Sequence, residues 1–202
     1  MRLLPSLALF SLLAFAETAA AQTVHLAVIV GLAGDPEHAE LFQRWASTLV
    51  DGATDRLGVA RDHIIYLAEQ PDKDPKRATG KSTQQEIEKA LATLAKITKE
   101  DDVVFIVMIG HGTFDGKVAK FNLPGPDMSP ANFEPLLKSL PSKHIVFVNT
   151  ASSSGPFLEE LAGPGRTIVY RPNSSCAIVS QSRRSVRSIF EKSFTSLGIS
   201  RS

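Results

Sequence analysis

Two short polar sites follow apolar runs, and each holds a side chain suited to acyl-transfer chemistry. The first is Gly110-His111-Gly112, after Val103-Val104-Phe105-Ile106-Val107-Met108-Ile109. The second is Thr150-Ala151-Ser152-Ser153-Ser154-Gly155, after His144-Ile145-Val146-Phe147-Val148-Asn149. An imidazole is the side chain best suited to accept and return a proton near neutral pH. A hydroxyl beside it is a candidate nucleophile. His111 and Ser152 are therefore the candidate catalytic pair. Small residues around both leave room for a substrate and for backbone N–H donors.

Runs of β-branched and aromatic residues bounded by Gly read as central strands of a parallel sheet. Binding sites in open α/β sheets lie beyond the carboxyl ends of such strands. Three further runs read as strands: Val24 to Val30, Ile64 to Leu67 and Arg166 to Tyr170. Between them lie helix patterns. Asp35 caps a helix with Pro36 at its first position, and Leu41, Phe42, Trp45, Ala46, Leu49 and Val50 form its apolar face. Ser82 with Gln85, or Thr83 with Glu86, forms a capping box for a helix with Ile87, Ala90, Leu91, Leu94 and Ile97 inward. Ser129-Pro130 opens a third helix, and Phe157 to Leu161 a short fourth. Asp115-Gly116 marks a hairpin turn between Thr113-Phe114 and Lys117 to Phe121. The alternation predicts an α/β fold, a three-layer sandwich with a mostly parallel sheet and helices on both faces. Trp45 is expected in the core, His38 on the surface, and His25 and His144 in structural roles.

The two strand-end motifs, in this order, resemble those of the caspase, legumain and gingipain group of cysteine peptidases. The resemblance spans roughly Val24 to Tyr170 and includes the strand order and the hairpin after the histidine. It implies that His111 matches the catalytic histidine. Gly112 matches the glycine whose N–H helps hold the oxyanion, together with the N–H of residue 152. Ala151 matches the small residue before the nucleophile, and Ser152 stands where the family has its cysteine. That departure changes the chemistry. A thiol with a pKa of about 8.5 supplies thiolate near neutral pH. A serine hydroxyl does not, and needs a base in direct hydrogen-bond contact that is itself oriented by a third group. The sequence offers no evident acid partner for His111, although Asp115 lies four residues on.

The chain has 202 residues with a formal charge of +1, which fits one domain. Arg2, the apolar stretch Leu3 to Ala16 and Ala19-Ala20-Ala21 read as a signal peptide over residues 1–21, too short for a lasting membrane span. Residues 22–172 are the domain, and residues 173–202 a divergent tail. In that tail Ser occurs ten times, and five basic residues (Arg183, Arg184, Arg187, Lys192, Arg201) face one acid, Glu191, leaving the body net acidic. The abrupt change in composition suggests a replaced end, as a frameshift would produce. Val186, Ile189, Phe190, Phe194 and Leu197 still fall on one helical face. The basic residues are too thinly spread for nucleic-acid recognition. Cys176 is the only cysteine, so no internal disulfide forms. No Cys/His spacing suggests a metal, and no cofactor motif is present. The functional readings are an exported peptidase homologue, degenerate at its nucleophile, that binds a peptide or protein; an active hydrolase using Ser152 and His111; and a structural or interaction domain.

Overall fold

Each long strand of the sheet begins where a loop releases an apolar run, and the first three α-helices begin at polar capping residues. The computed structural model describes residues 22–170 and 177–180. Nine strands occur among them: β1 (Val24–Val30), β2 (Ile64–Ala68), β3 (Gly80–Lys81), β4 (Val103–Ile109), β5 (Gly112–Phe114), β6 (Ala119–Phe121), β7 (His144–Asn149), β8 (Arg166–Tyr170) and β9 (Ala177–Ser180). Four α-helices join them: α1 (Pro36–Asp55), α2 (Gln84–Ile97), α3 (Pro130–Ser139) and α4 (Gly155–Leu161). The main sheet has seven strands in the order β3-β2-β1-β4-β7-β8-β9, parallel except for the last pair, and β5 and β6 form a separate hairpin. The protein is thus an α/β three-layer sandwich. The short strands β3 and β9 extend it at both edges, beyond the five strands expected from apolar runs.

The caps follow side-chain chemistry. The Asp35 carboxylate accepts the His38 N–H at 2.9 Å, and Pro36 loses nothing at a position with no helical partner for its nitrogen. Of the two boxes available for α2, Thr83 supplies the cap, accepting the Glu86 N–H at 3.4 Å. Ser129 and Asn132 cap α3 reciprocally. The Asp115 carboxylate accepts the N–H groups of Lys117 and Val118 and closes the hairpin turn, with Gly116 at φ +88°.

Two cores lie on opposite sides of the sheet. On one side α2, α3 and α4 press Leu91, Phe133 and Phe157 onto Ile106, Phe147 and Ile168. On the other, α1 presses Phe42, Ala46, Val50 and Ala53 onto Leu26, Val28, Tyr66 and Ile109. Trp45 departs from its expected place in the core and is 48% exposed; Ile97 does the same at 46%. Each sits roughly a quarter turn from the centre of its helix's buried stripe, where the sheet no longer reaches it.

No helix among the described residues is long and apolar enough to cross a membrane. The expected leader, residues 1–21, and the tail except for β9 lie outside the described residues.

Candidate functional site

The strand order reverses direction between β1 and β4, since β2 lies to one side of β1 and β4 to the other. A crevice opens beyond the carboxyl ends at such a point. His111 lies two residues past the end of β4, at that switch point. Its ring lies 4.9 Å from that of His38 and 5.2 Å from that of Phe42, both on α1. Phe42 in turn lies 5.9 Å from Trp45. Four rings thus run from the end of β4 along α1. Among the described residues no hydrogen bond fixes the His111 imidazole, which is held by ring packing alone.

Ser152 lies one strand over, past the end of β7, with its side chain exposed. Four features hold that turn. Thr150 donates both its N–H (3.1 Å) and its hydroxyl (3.0 Å) to the Met108 carbonyl, locking the ends of β4 and β7 together. The Asn149 side-chain oxygen accepts the Ala151 N–H at 3.0 Å. Ser153 takes φ +59°, the one non-glycine residue described with positive φ. Ser154 is fully buried and opens α4.

Gly112 joins the two halves. A Cβ built there would lie 2.4 Å from the Ser152 carbonyl oxygen and 3.3 Å from the Ala151 methyl. Only a residue without a side chain lets the backbones approach so closely. The structure therefore brings Gly112, Ala151 and Ser152 together and places His111 beside them. Among the described residues no hydrogen bond links His111 to Ser152.

Asp115, the nearest acid in sequence to His111, is spent on the hairpin turn. Those two N–H groups hold its carboxyl below the usual carboxylate range. The histidine–carboxylate pair beside the site is a different one. His38 Nδ1 meets Asp35 Oδ2 at 2.7 Å. The His38 N–H, and then its ring, hold the Asp35 carboxyl below its ordinary value. The helix-cap signal at Asp35-Pro36 located this first turn, but nothing in the spacing foretold that its histidine would meet His111.

Two asparagines also escaped the sequence reading. Asn122 clasps the loops over the site: its carbonyl accepts the Leu32 N–H at 2.9 Å, its N–H donates to the His111 carbonyl at 3.0 Å, and the Thr113 hydroxyl lies 3.3 Å from its side-chain oxygen. Asn149, 1% exposed, keeps a buried side-chain NH2 without a partner among the described residues. Among the described residues no three His, Cys, Asp or Glu side chains converge as metal ligands.

This arrangement has an imidazole able to exchange protons with a bound group, a tight backbone turn and an exposed hydroxyl without a base. No family model matches the sequence, and no curated protein matches it either.

Proposed function

We propose that the mature chain is an exported domain of the caspase and legumain kind, degenerate at its nucleophile, that binds a peptide or protein partner at the carboxyl ends of β4 and β7 without cleaving it. The observation that carries this reading is a mismatch. Gly112 packs tightly against the Ser152 carbonyl, so the two strand-end backbones lie side by side, yet His111 packs against His38 and Phe42 and, among the described residues, makes no hydrogen bond to Ser152. A hydroxyl needs that bond to become a nucleophile, whereas a thiol ionises with weaker help. Trp45, His38 and His111, packed around the buried Phe42, offer exposed ring surface on which a peptide side chain rests.

The test pairs wild type with Ser152→Cys on a mixed fluorogenic peptide library. Cleavage by the cysteine variant alone, abolished again by His111→Ala, is the expected result. Fluorophosphonate labelling of wild type at Ser152, lost in His111→Ala, would instead establish the active serine hydrolase. If neither protein cleaves and neither binds any library peptide, the site reading is lost and the chain is a structural or interaction domain.

A further inference from the structure

The hairpin after His111 turns backbone groups and a half-bare aromatic ring outward beside the Ser152 turn. In an antiparallel pair, residues that exchange hydrogen bonds alternate with residues whose N–H and C=O point away from the partner. The Asn122 N–H donates to the His111 carbonyl at 3.0 Å, and Thr113 stands opposite Lys120 two residues on. Thr113 and Lys120 are therefore the bonded pair, and Gly112 and Phe114 turn their N–H and C=O groups away from β6. Phe121, opposite Gly112, has the same phase: its N–H and carbonyl both go to Met128, on the far side of β6. Among the described residues β5 pairs with β6 alone. Side chains alternate as well. The Cβ direction of Gly112 runs at the Ser152 carbonyl and the Ala151 methyl, so Phe114, two residues on, lies on that same face. Its neighbours across the hairpin on this face, Ala119 and Phe121, are 1% and 0% exposed, whereas Phe114 is 51% exposed.

We propose that the outer edge of β5 takes an extended segment of a partner protein as an added strand, with an apolar side chain of that segment set against the Phe114 ring. This rests on the reading that the site binds a peptide, and it names the backbone groups that hold the peptide and the side-chain class they select. Three observations argue for this occupant. The outward N–H and C=O groups of Gly112 and Phe114 recur at the two-residue spacing of an extended chain, which another peptide backbone matches. The Phe114 ring, half bare at the end of a buried face, gains most from an apolar or aromatic cross-strand neighbour. The edge is also short. It runs from Gly112, against the Ser152 carbonyl, to the turn at Asp115-Gly116, about 10 Å of strand. Such a stretch buries far less than the roughly 800 Å² per partner of a stable dimer, so it suits a short segment rather than a second copy of the hairpin.

Two sets of end-blocked random hexapeptides test this, one with Val, Ile or Phe fixed at the third position and one with Asp there. Each is added to the chain from Gln22 to Ser202 and followed by backbone amide NMR. The apolar set should shift and protect the amides of Gly112 and Phe114, and bind on the order of tenfold more tightly than the Asp set. N-methylation of the tightest peptide, one residue at a time, should weaken binding at alternate positions only, since every second N–H faces β5. Phe114→Ser should lower affinity about fivefold. Phe114→Pro, which removes an outward N–H and spares the β5–β6 ladder, should lower it about tenfold or more. Val118→Ser, in the same hairpin, should leave it unchanged. Peptides that bind but shift only His38, Trp45 and His111, with no alternation in the N-methyl scan, overturn the added strand and leave the peptide-binding reading standing. No binding by either set removes both. Slow exchange at Gly112 and Phe114 before any peptide is added also overturns the proposal, since the edge is then already paired. Should the hairpin variants fail to fold, the N-methyl scan on wild type decides.

Discussion

The two ends of the sheet treat the same residue types in opposite ways. At the amino end, Asp102 is buried and fully engaged: it accepts the Lys99 N–H at 2.7 Å and the Thr23 N–H at 3.2 Å, and its other contact is His25 Nε2 at 3.3 Å. Ser142 donates to the Asp102 carbonyl and accepts the His144 N–H. At the carboxyl end, Ser152 is exposed and Ser153 is held at positive φ, and among the described residues His111 has no side-chain hydrogen bond and the buried Asn149 NH2 no partner. Each end has an Asp–His pair, but Asp102–His25 is buried and Asp35–His38 is roughly half exposed. Most polar groups at the amino end hold strands together, although His25 Nδ1 and the Thr98 hydroxyl are buried there without a partner among the described residues. Those at the carboxyl end are left available, and that is where strain and unmet hydrogen bonds belong if a ligand is to satisfy them.

The most direct way to break this contrast is Asp102→Ala. It orphans two backbone N–H groups and a buried imidazole, and should cost about 3–4 kcal/mol in denaturant unfolding. The acid limb of stability gives a second readout. Burial pushes the Asp102 carboxyl up, but the N–H groups of Lys99 and Thr23 and the His25 ring outweigh it, so it ionises below the ordinary range. A depressed folded value means its stabilisation is present above the unfolded value of about 3.9. It fades as pH falls through the lower folded value. Asp102→Asn should therefore flatten the loss of stability below about pH 4, and an unchanged acid limb would assign that loss to other carboxylates.

Gly112→Ala comes next. The new methyl meets the Ser152 carbonyl at 2.4 Å and the Lys120 carbonyl at 3.0 Å, both backbone, so neither yields cheaply; about 2 kcal/mol is expected. Gly163→Ala, near the amino ends of the strands, meets nothing closer than 3.8 Å and should change stability by less than about 0.5 kcal/mol. Equal effects at the two glycines would remove the claim that the site turn is tightly built. Ser153→Gly should go the other way and stabilise by about 0.5–1 kcal/mol, since glycine takes positive φ without steric cost. A loss there would mean that the Ser153 side chain holds the turn.

How legible each part was depended on what kind of signal placed it. The five long strands and four helices were readable because burial on two faces forces apolar runs and capping forces Asp35, Thr83 and Ser129 into place. β3 and β9 were not, because an edge strand of two to four residues is set by its neighbour's ladder rather than by its own composition. Trp45 and Ile97 were misplaced because an apolar residue at the margin of a helical stripe has the same spacing as one at its centre. His111, Gly112 and Ser152 were legible as strand-end residues. His38 and Asn122 were not, since their roles arise from loops that meet only once the sheet has formed.

The smallest expected effect is also the most discriminating. Ser152→Ala removes an exposed hydroxyl that makes no hydrogen bond to His111 among the described residues, so its stability cost should lie within about 0.5 kcal/mol. A working nucleophile is hydrogen-bonded to its base, and deleting it shifts the base's surroundings. The NMR titration of His111 should therefore move if Ser152 and His111 form a pair, and stay fixed if His111 belongs to the α1 ring cluster. Under the second arrangement, His38→Ala or Phe42→Ala should move the His111 titration where Ser152→Ala does not. A His111 that responds to Ser152 and ignores His38 would reverse the contrast: the carboxyl end would then be as firmly wired as the amino end, and the chain an active hydrolase.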